Sequence, residues 1–218
     1  MEKVLKKDVV ESVGSGQDVG CEAAIHSFIF EEESEAGMLI DASIALNSIN
    51  RKAFLHNVKI VCPSLANFTI NCYSSPSRLF VIGGTEIASS EGTTQGNPIV
   101  GLVYAIAIIL LILRTVSELK EKGLNTKTAG YADDLFGGGK LLGLKLMWDY
   151  IVQWDPDFGY NQQADKTWII VKPRHLEEAE RIFKDTKINI TSDGKKHLGA
   201  SIGSLSYRTQ YISENIDD

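Results

Sequence analysis

In the first part of the chain, short apolar runs are followed by stretches in which apolar residues recur with helical spacing. The run "GMLIDAS" is apolar, ends at Asp41 and predicts a buried strand, and "SIALNSINRKAFLHNV" after it has the apolar spacing of one helix. Pro63 begins a second predicted helix, "SLANFTINCY". The alternation in "SRLFVIGGTEIASS" around Gly83 and Gly84 predicts a hairpin. This part is therefore expected to hold a strand, two helices and a hairpin.

The second part of the chain continues this irregular mixture of elements. The loop "EGTTQGNP" leads into a long apolar helix, and residues 126–138 predict a hairpin with Asp133 and Asp134 at its tip. The predicted elements after it are a helix in "LLGLKLMWDYIVQW", a strand in "KTWIIVK", a helix in "HLEEAERIFKD" and a last short strand in "HLGASIG". Irregular alternation favours an α+β fold, an antiparallel sheet backed by helices, over a doubly wound parallel sheet.

One apolar run, residues 99–113, carries no charge and raises the alternative of a membrane anchor. The run is shorter than the roughly 20 residues that span a bilayer, and Arg114 follows it at once. A helix packed inside the protein is the favoured interpretation, with no membrane partner. The N-terminal "MEKVLKKDVVESVG" has no apolar stretch of the secretory kind, so an intracellular location, in cytoplasm or nucleus, is predicted.

Composition limits the possible functions further. With 218 residues, 44% of them hydrophobic, the chain can bury a sizeable core as one large domain, or as one domain with a partial neighbour. A net charge of -6 argues against a general electrostatic grip on nucleic acid, so any such contact is expected to be local. Cys21, Cys62 and Cys72 lack metal-binding or disulfide spacing, which favours free thiols in a reducing compartment.

The stretch "GYADDLFGGG" places two adjacent carboxylates, Asp133 and Asp134, where the backbone turns. One aspartate is enough for turn chemistry, and a second neighbouring charge adds only repulsion. Asp41 ends a predicted strand, and if that strand neighbours the hairpin, Asp41 and Asp133 converge. Carboxylate oxygens suit Mg²⁺ or Mn²⁺, so we predict a two-metal site for phosphoryl or nucleotidyl transfer.

Each of these residues also has an ordinary structural interpretation. The aspartate pair could be a solvated turn, and Asp41 could cap the helix that follows it. Gly137, Gly138 and Gly139 before Lys140 lack the spacing of a phosphate-binding loop and are interpreted as the end of a hairpin.

Five motifs in order resemble the palm of reverse transcriptases, specifically the polymerases of retrotransposons. They are "LIDASIALNSINR", "EGTTQGNP", "YADD", "GYNQQADKTWIIVK" and "HLGASIG". The resemblance implies an antiparallel palm sheet with packed helices over residues 37–218, a partial fingers segment over residues 1–36, and no complete thumb. Viral RNA-dependent RNA polymerases share the palm but favour Gly-Asp-Asp at the hairpin, so "YADD" speaks against them.

The resemblance also implies an activity and a set of site residues. The activity is RNA-directed DNA polymerase, which adds dNTP to a primer 3′-OH on an RNA or DNA template with two Mg²⁺ or Mn²⁺ ions. Asp41, Asp133 and Asp134 are the implied catalytic residues, with Asp41 and Asp133 as metal ligands. The implied nucleotide and template contacts are Leu46, Gln95, Gly96, Tyr131 and Lys166.

Leu46 departs from the family pattern, which usually has Phe or Tyr at this position to exclude a ribose 2′-OH. The sequence therefore does not decide how strongly the site discriminates between dNTP and NTP. A second function remains open as well: a polymerase-derived fragment without catalysis that binds nucleic acid or a protein.

Overall fold

The computed structural model describes residues 33–94, 99–131 and 133–216. The strands in these ranges are β1 (Ala36–Ile40), β2 (Ser77–Phe80), β3 (Glu86–Ser89), β4 (Lys127–Tyr131), β5 (Asp134–Gly139), β6 (Trp168–Val171), β7 (Asn189–Thr191), β8 (Gly194–His197) and β9 (Ala200–Gly203). The helices are α1 (Ala45–Ser48), α2 (Arg51–Val61), α3 (Pro63–Tyr73), α4 (Val100–Glu121), α5 (Leu141–Phe158), α6 (Leu176–Phe183) and α7 (Leu205–Ile216). Helices and sheets mix irregularly along the chain, which confirms the predicted α+β class.

A five-stranded sheet with the order β4-β5-β1-β6-β7 forms the centre of the fold. Strand β1 runs antiparallel to both neighbours, with Ile40 opposite Leu135 on β5 and Leu39 opposite Trp168 on β6. Strand β7 joins β6 in parallel, which the prediction of an antiparallel sheet did not include. The parallel pair arises because α6 lies between the two strands and carries the chain back to the same end of the sheet.

Both faces of β1 are covered, and all five of its residues are buried. Because side chains alternate along a strand, Met38 and Ile40 enter the main core, which α4 and α5 also line. Leu39 points to the other face, where Phe136 and Ile202 form a smaller cluster beneath the hairpin of β8 and β9. The sheet therefore has a face covered by helices and a face partly covered by a hairpin.

The segment predicted as one helix after β1 forms two helices. Asn50 ends the continuity because its side chain accepts a hydrogen bond from the Ala53 N–H and so caps α2. Its own N–H donates to the Phe158 carbonyl instead of continuing α1. The N-cap of α1 is Ile44, so Asp41 caps neither helix. The cap interpretation of Asp41 is therefore wrong.

The last predicted strand, "HLGASIG", is the turn and second strand of a hairpin. His197 ends β8, Leu198 takes a positive φ of 48° in the turn, and β9 follows from Ala200. Strand β8 has the sequence Gly-Lys-Lys-His and no apolar alternation, so the pattern carried no signal for it. Strand β7 and helix α7 were missed as well.

Helix α4 contains the uncharged run and packs against α2 and α5. By length and composition it is the one helix in the described ranges able to cross a membrane, yet 56% of its most apolar window is buried inside this fold. Its buried residues include Tyr104, Ile108 and Leu111. Packing in the core thus accounts for its apolar character.

The glycines after the aspartate pair are residues of β5, which confirms the interpretation as a hairpin end. A Cβ on Gly137 would lie 2.5 Å from the Met147 sulfur on α5. The glycine therefore allows α5 to pack closely against the sheet.

Candidate active site

The register of the sheet brings two of the predicted carboxylates to neighbouring strand ends. Asp41 directly follows β1, and Asp134 is the first residue of β5. The antiparallel pairing of these strands ends at Ile40 opposite Leu135, so one further step along this register places Asp41 opposite Asp134. Both residues line one concavity of about 230 Å³.

This concavity lies on the face of the sheet that the β8–β9 hairpin covers. Its lining combines the two aspartates with basic and aromatic side chains from the turn before β6, from β6 itself and from the hairpin. Apart from Asp41 and Asp134, the lining residues are Leu39, Ile40, Lys166, Trp168, Lys195, Lys196, His197 and Leu198. The combination of acidic and cationic groups in this lining suits a ligand that carries phosphates and a metal ion.

Asp133 lies beside the concavity, in the turn between β4 and β5, and is exposed. Its carbonyl accepts a hydrogen bond of 2.9 Å from the Tyr160 hydroxyl. Burial, followed by the negative charges of Asp133 and Asp41, raises the pKa of Asp134 to about 6. Asp134 therefore lies within electrostatic reach of both Asp133 and Asp41, while a metal site shared by Asp41 and Asp133 stays a prediction.

Lys166 is the cation nearest to Asp41 among the ion pairs of the described residues. Its Nζ lies 3.9 Å from Asp41 Oδ1, and the two side chains are 59% and 44% exposed. Water screens such a pair, which contributes less than about 1 kcal/mol. Lys166 can therefore turn to another anion, such as a phosphate, at little cost.

The chemistry of these donors fits a hard divalent cation. Carboxylate oxygens are the ligands that Mg²⁺ and Mn²⁺ take, and a bound cation would offset the burial and the neighbouring negative charges that together raise the pKa of Asp134. Within residues 33–94, 99–131 and 133–216, no group of three or more His, Cys, Asp or Glu side chains is placed to hold a metal ion by itself. The site is thus a charged cluster of suitable ligands, with Asp41 and Asp133 still predicted to hold the metal.

Solved telomerase structures have the same chain arrangement. Telomerase from Candida albicans, in complex with the TWJ fragment of telomeric RNA, matches with a TM-score of 0.65 at 10% identity, over 94% of this chain and 35% of that one. Apo telomerase from Candida tropicalis matches with a TM-score of 0.63 at 12% identity, over 94% of this chain and 39% of that one. The same enzyme truncated from its C-terminal domain matches with a TM-score of 0.63 at 14% identity, over 94% and 44%. Telomerase is a polymerase related to reverse transcriptases.

The chain has a reverse-transcriptase-like fold. It spans 35 to 44% of the length of these telomerase chains. No family model matches the sequence, and no curated protein matches it. The fold therefore agrees with the resemblance of the motifs, and the telomerases named here support the fold without bearing on the retrotransposon type.

Two further predicted site residues occupy defined places in the reverse-transcriptase-like fold. Leu46 lies in α1 and packs its half-buried side chain against the main core, outside the concavity. Tyr131 is the last residue of β4, pairs with Asp134 across the hairpin and packs on the smaller cluster. Gln95 and Gly96 lie outside the described residues.

The loop that leads to Gln95 is held by a buried arginine that the sequence analysis did not assign. Arg51 is 5% exposed, and its guanidinium donates to the carbonyls of Ser89, Glu91 and Gly92 at 2.8 to 3.2 Å. The Glu91 carboxylate accepts in return from the Arg51 backbone N–H at 2.7 Å. Burial lowers the pKa of Arg51, and Glu91 opposes that shift. This network attaches the loop to the start of α2.

The sequence analysis also did not assign two lysines that line the concavity, Lys195 and Lys196. Lys195 Nζ lies 4.1 Å from the centre of the Trp168 ring, a distance that gives a cation–π contact. The half-buried Trp168 ring packs on the smaller cluster and also supports this lysine beside the concavity. The only available signal was the adjacent Lys195-Lys196 pair directly before the "HLG" motif.

We expect the protein to lose stability in acid because of His197, which also lines the concavity. The side chain is 9% exposed, it packs edge-on against Phe136, and burial lowers its pKa to about 4. The unfolded chain binds a proton near pH 6.5 and the folded one only near pH 4. The free energy of unfolding is therefore unaffected by His197 well above pH 6.5 and falls as pH drops toward 4, by about 3 kcal/mol.

Urea denaturation at pH 7 and pH 4.5 measures this loss. Acid also protonates Asp134, whose pKa is about 6, so His197→Gln serves as the reference because it keeps this carboxyl. The variant is expected to lose less stability than the natural chain over this range. Equal losses in both proteins would contradict a buried neutral histidine.

Proposed function

We propose that this chain is the catalytic palm of a reverse-transcriptase-type polymerase. It transfers a nucleotide from dNTP to a primer 3′-OH, directed by an RNA or DNA template. The observation that carries the proposal is the meeting of Asp41 and Asp134 at neighbouring strand ends, with Asp133 in the adjoining turn and Lys166 beside them. The reverse-transcriptase-like fold supports the same reaction class.

In this proposal Asp41 and Asp133 hold two Mg²⁺ or Mn²⁺ ions, and Asp134 adds negative charge beside them. When bound, the ions lower the pKa of the attacking hydroxyl and stabilise the leaving pyrophosphate. Lys166 offsets charge on the triphosphate from its half-exposed position. Tyr131, at the end of β4, contacts the primer end, and Gln95 with Gly96 contacts nucleotide and template.

We further propose that the polymerase is of the retroelement type and acts inside the cell. The five motifs and their order support the first statement, since the structural neighbours speak only for the fold. Cys62 and Cys72 are both free thiols, which supports a reducing compartment.

Primer extension by the full chain tests the proposal. A labelled primer on RNA and on DNA templates is incubated with dNTP in the presence of Mg²⁺, Mn²⁺ or EDTA. Metal-dependent, template-directed extension is the expected result. If the protein binds the primer–template in fluorescence anisotropy but does not extend the primer, its function is that of a binding module and not of a polymerase.

Leu46 predicts weak discrimination against NTP. In the resembled family a Phe or Tyr at this position excludes a 2′-OH, and Leu46, which packs against the main core, is smaller than either. Leu46→Phe is expected to raise the ratio of kcat/KM for dNTP over NTP by about tenfold, because an added ring excludes a 2′-OH sterically. Single-nucleotide incorporation with dNTP and NTP in parallel measures it. A natural chain that prefers NTP would count against DNA synthesis.

A further inference from the structure

The Tyr160 hydroxyl lies between the two chain segments that carry the predicted metal ligands. Tyr160 follows α5 and is fully buried, with 0% of its surface exposed. Its hydroxyl is 2.9 Å from the Asp133 carbonyl and 3.3 Å from the Ile40 carbonyl. Ile40 is the residue directly before Asp41. One side chain thus contacts the backbone beside each of the acids.

The segment that carries Tyr160 is itself held in place from two sides. The Asp41 carbonyl accepts from the Gln163 N–H, and the Asn161 carbonyl accepts from the Ser43 N–H, both at 2.9 Å. From α5, the nearly buried Asp155 carboxylate accepts from the Asn161 N–H at 2.6 Å. These bonds fix the backbone around Tyr160 relative to α5 and to the residues after β1.

The position of this hydroxyl matters because the sheet does not connect the two acids directly. The ladder between β1 and β5 ends at Ile40 and Leu135, while Asp133 lies beyond it in the turn. Tyr160 is the side chain that bridges the gap from the Ile40 carbonyl to the Asp133 carbonyl. A change in this bridge alters the spacing of the acids without altering either carboxylate.

We propose that Tyr160 is a positioning residue that sets the spacing of Asp41 and Asp133 for the divalent ions they share. The inference rests on the proposed function, since it assigns a role within that metal site. Replacement of a residue that orients metal ligands without binding the metal typically changes the metal affinity by 10- to 100-fold. Tyr160 acts through the backbone and does not contact the reacting atoms.

The chain offers a matched control in Tyr104. This tyrosine of α4 is 1% exposed, and its hydroxyl has no hydrogen-bond partner among the described residues. Phenylalanine at either position keeps the ring and its packing and removes one buried hydroxyl. The two variants therefore differ in whether the lost hydroxyl bridges the acid-bearing segments.

The experiment compares Tyr160→Phe, Tyr104→Phe and the natural full chain. Mn²⁺ binding is measured by electron paramagnetic resonance, the half-saturating Mg²⁺ concentration by primer extension, and folding by circular dichroism and thermal unfolding. Tyr160→Phe is expected to weaken Mn²⁺ binding and raise the half-saturating Mg²⁺ concentration by about tenfold, with KM for dNTP unchanged at saturating metal. Tyr104→Phe is expected to match the natural chain in each of these measurements.

The outcomes separate this inference from the proposed function. If the natural chain binds Mn²⁺ and extends primers, and Tyr160→Phe does both with unchanged metal dependence, the positioning role is overturned and the polymerase stands. Equal shifts in Tyr160→Phe and Tyr104→Phe would also overturn it, because the loss of a buried hydroxyl near the acids would then suffice without any bridge between the two segments. A natural chain that neither binds Mn²⁺ nor extends primers overturns the proposed function itself.

Discussion

Replacing Asp133 by asparagine is expected to lower metal-dependent nucleotide incorporation by about 10³-fold and to leave the fold intact. Asparagine has the same shape but lacks the negative charge that holds a divalent ion, and the loss of several kcal/mol of transition-state stabilisation lowers the rate tenfold for each 1.4 kcal/mol. Asp133 is exposed, and its contact with Tyr160 uses the backbone carbonyl, which the substitution retains. The effect should therefore be on chemistry and metal affinity.

Single-turnover primer extension at saturating dNTP measures this effect, and circular dichroism checks the fold. Asp149→Asn is the matched control, because Asp149 is a carboxylate on α5 that pairs with Lys145 at 2.6 Å and does not line the concavity. That variant is expected to extend primers at the natural rate. If Asp133→Asn keeps more than about a tenth of the natural rate, Asp133 is not a metal ligand.

Gly159→Ala is expected to lower the free energy of unfolding by about 3 kcal/mol. Gly159 ends α5 with a φ of 72°, a conformation that is unfavourable for a residue with a Cβ. The new Cβ would lie 2.5 Å from the Ser48 carbonyl oxygen and 2.7 Å from the Asn50 nitrogen. Both are backbone atoms at the junction of α1 and α2, so they cannot move away without disturbing these helices.

Gly123→Ala separates the two causes of this loss. Gly123 follows α4 with a φ of 71°, nearly that of Gly159, but nothing lies within 4 Å of a Cβ built on it. Alanine there is expected to cost only the conformational term, about 1 kcal/mol. Urea denaturation and thermal unfolding measure both variants, and the midpoint of Gly159→Ala should fall by roughly 10 °C. Equal losses at the two sites would contradict a close approach of Gly159 to α1 and α2.

Several elements follow from local sequence because their signals are strong and local. The uncharged run from residue 99 predicted a buried helix, and α4 begins at Val100. Alternation around Gly83 and Gly84 predicted the β2–β3 hairpin, and both glycines take the positive φ that such a turn requires. Pro63 marked the start of α3, because proline suits the first turn of a helix.

Other elements depend on contacts that no local pattern records. Strand β8 is polar and forms because β9 pairs with it, and β7 is three residues placed by the crossover through α6. The break between α1 and α2 comes from a hydrogen bond between Asn50 and Phe158, more than a hundred positions away. Helical spacing of apolar residues continues through that break, so the pattern alone predicted one helix.

For the site, the sequence by itself determined which chemical groups are present and in what order they occur. The carboxylates at 41, 133 and 134 and the cation at 166 were named from motifs and spacing. Tertiary structure alone decided that Asp134 lies opposite Asp41 on the neighbouring strand and that lysines of the β8–β9 hairpin line the same concavity. It also decided that the Tyr160 hydroxyl connects the two acid-bearing segments. The physical reason is that strand register and burial are set by residues distant in the chain, whereas the identity of a ligand is a property of one residue.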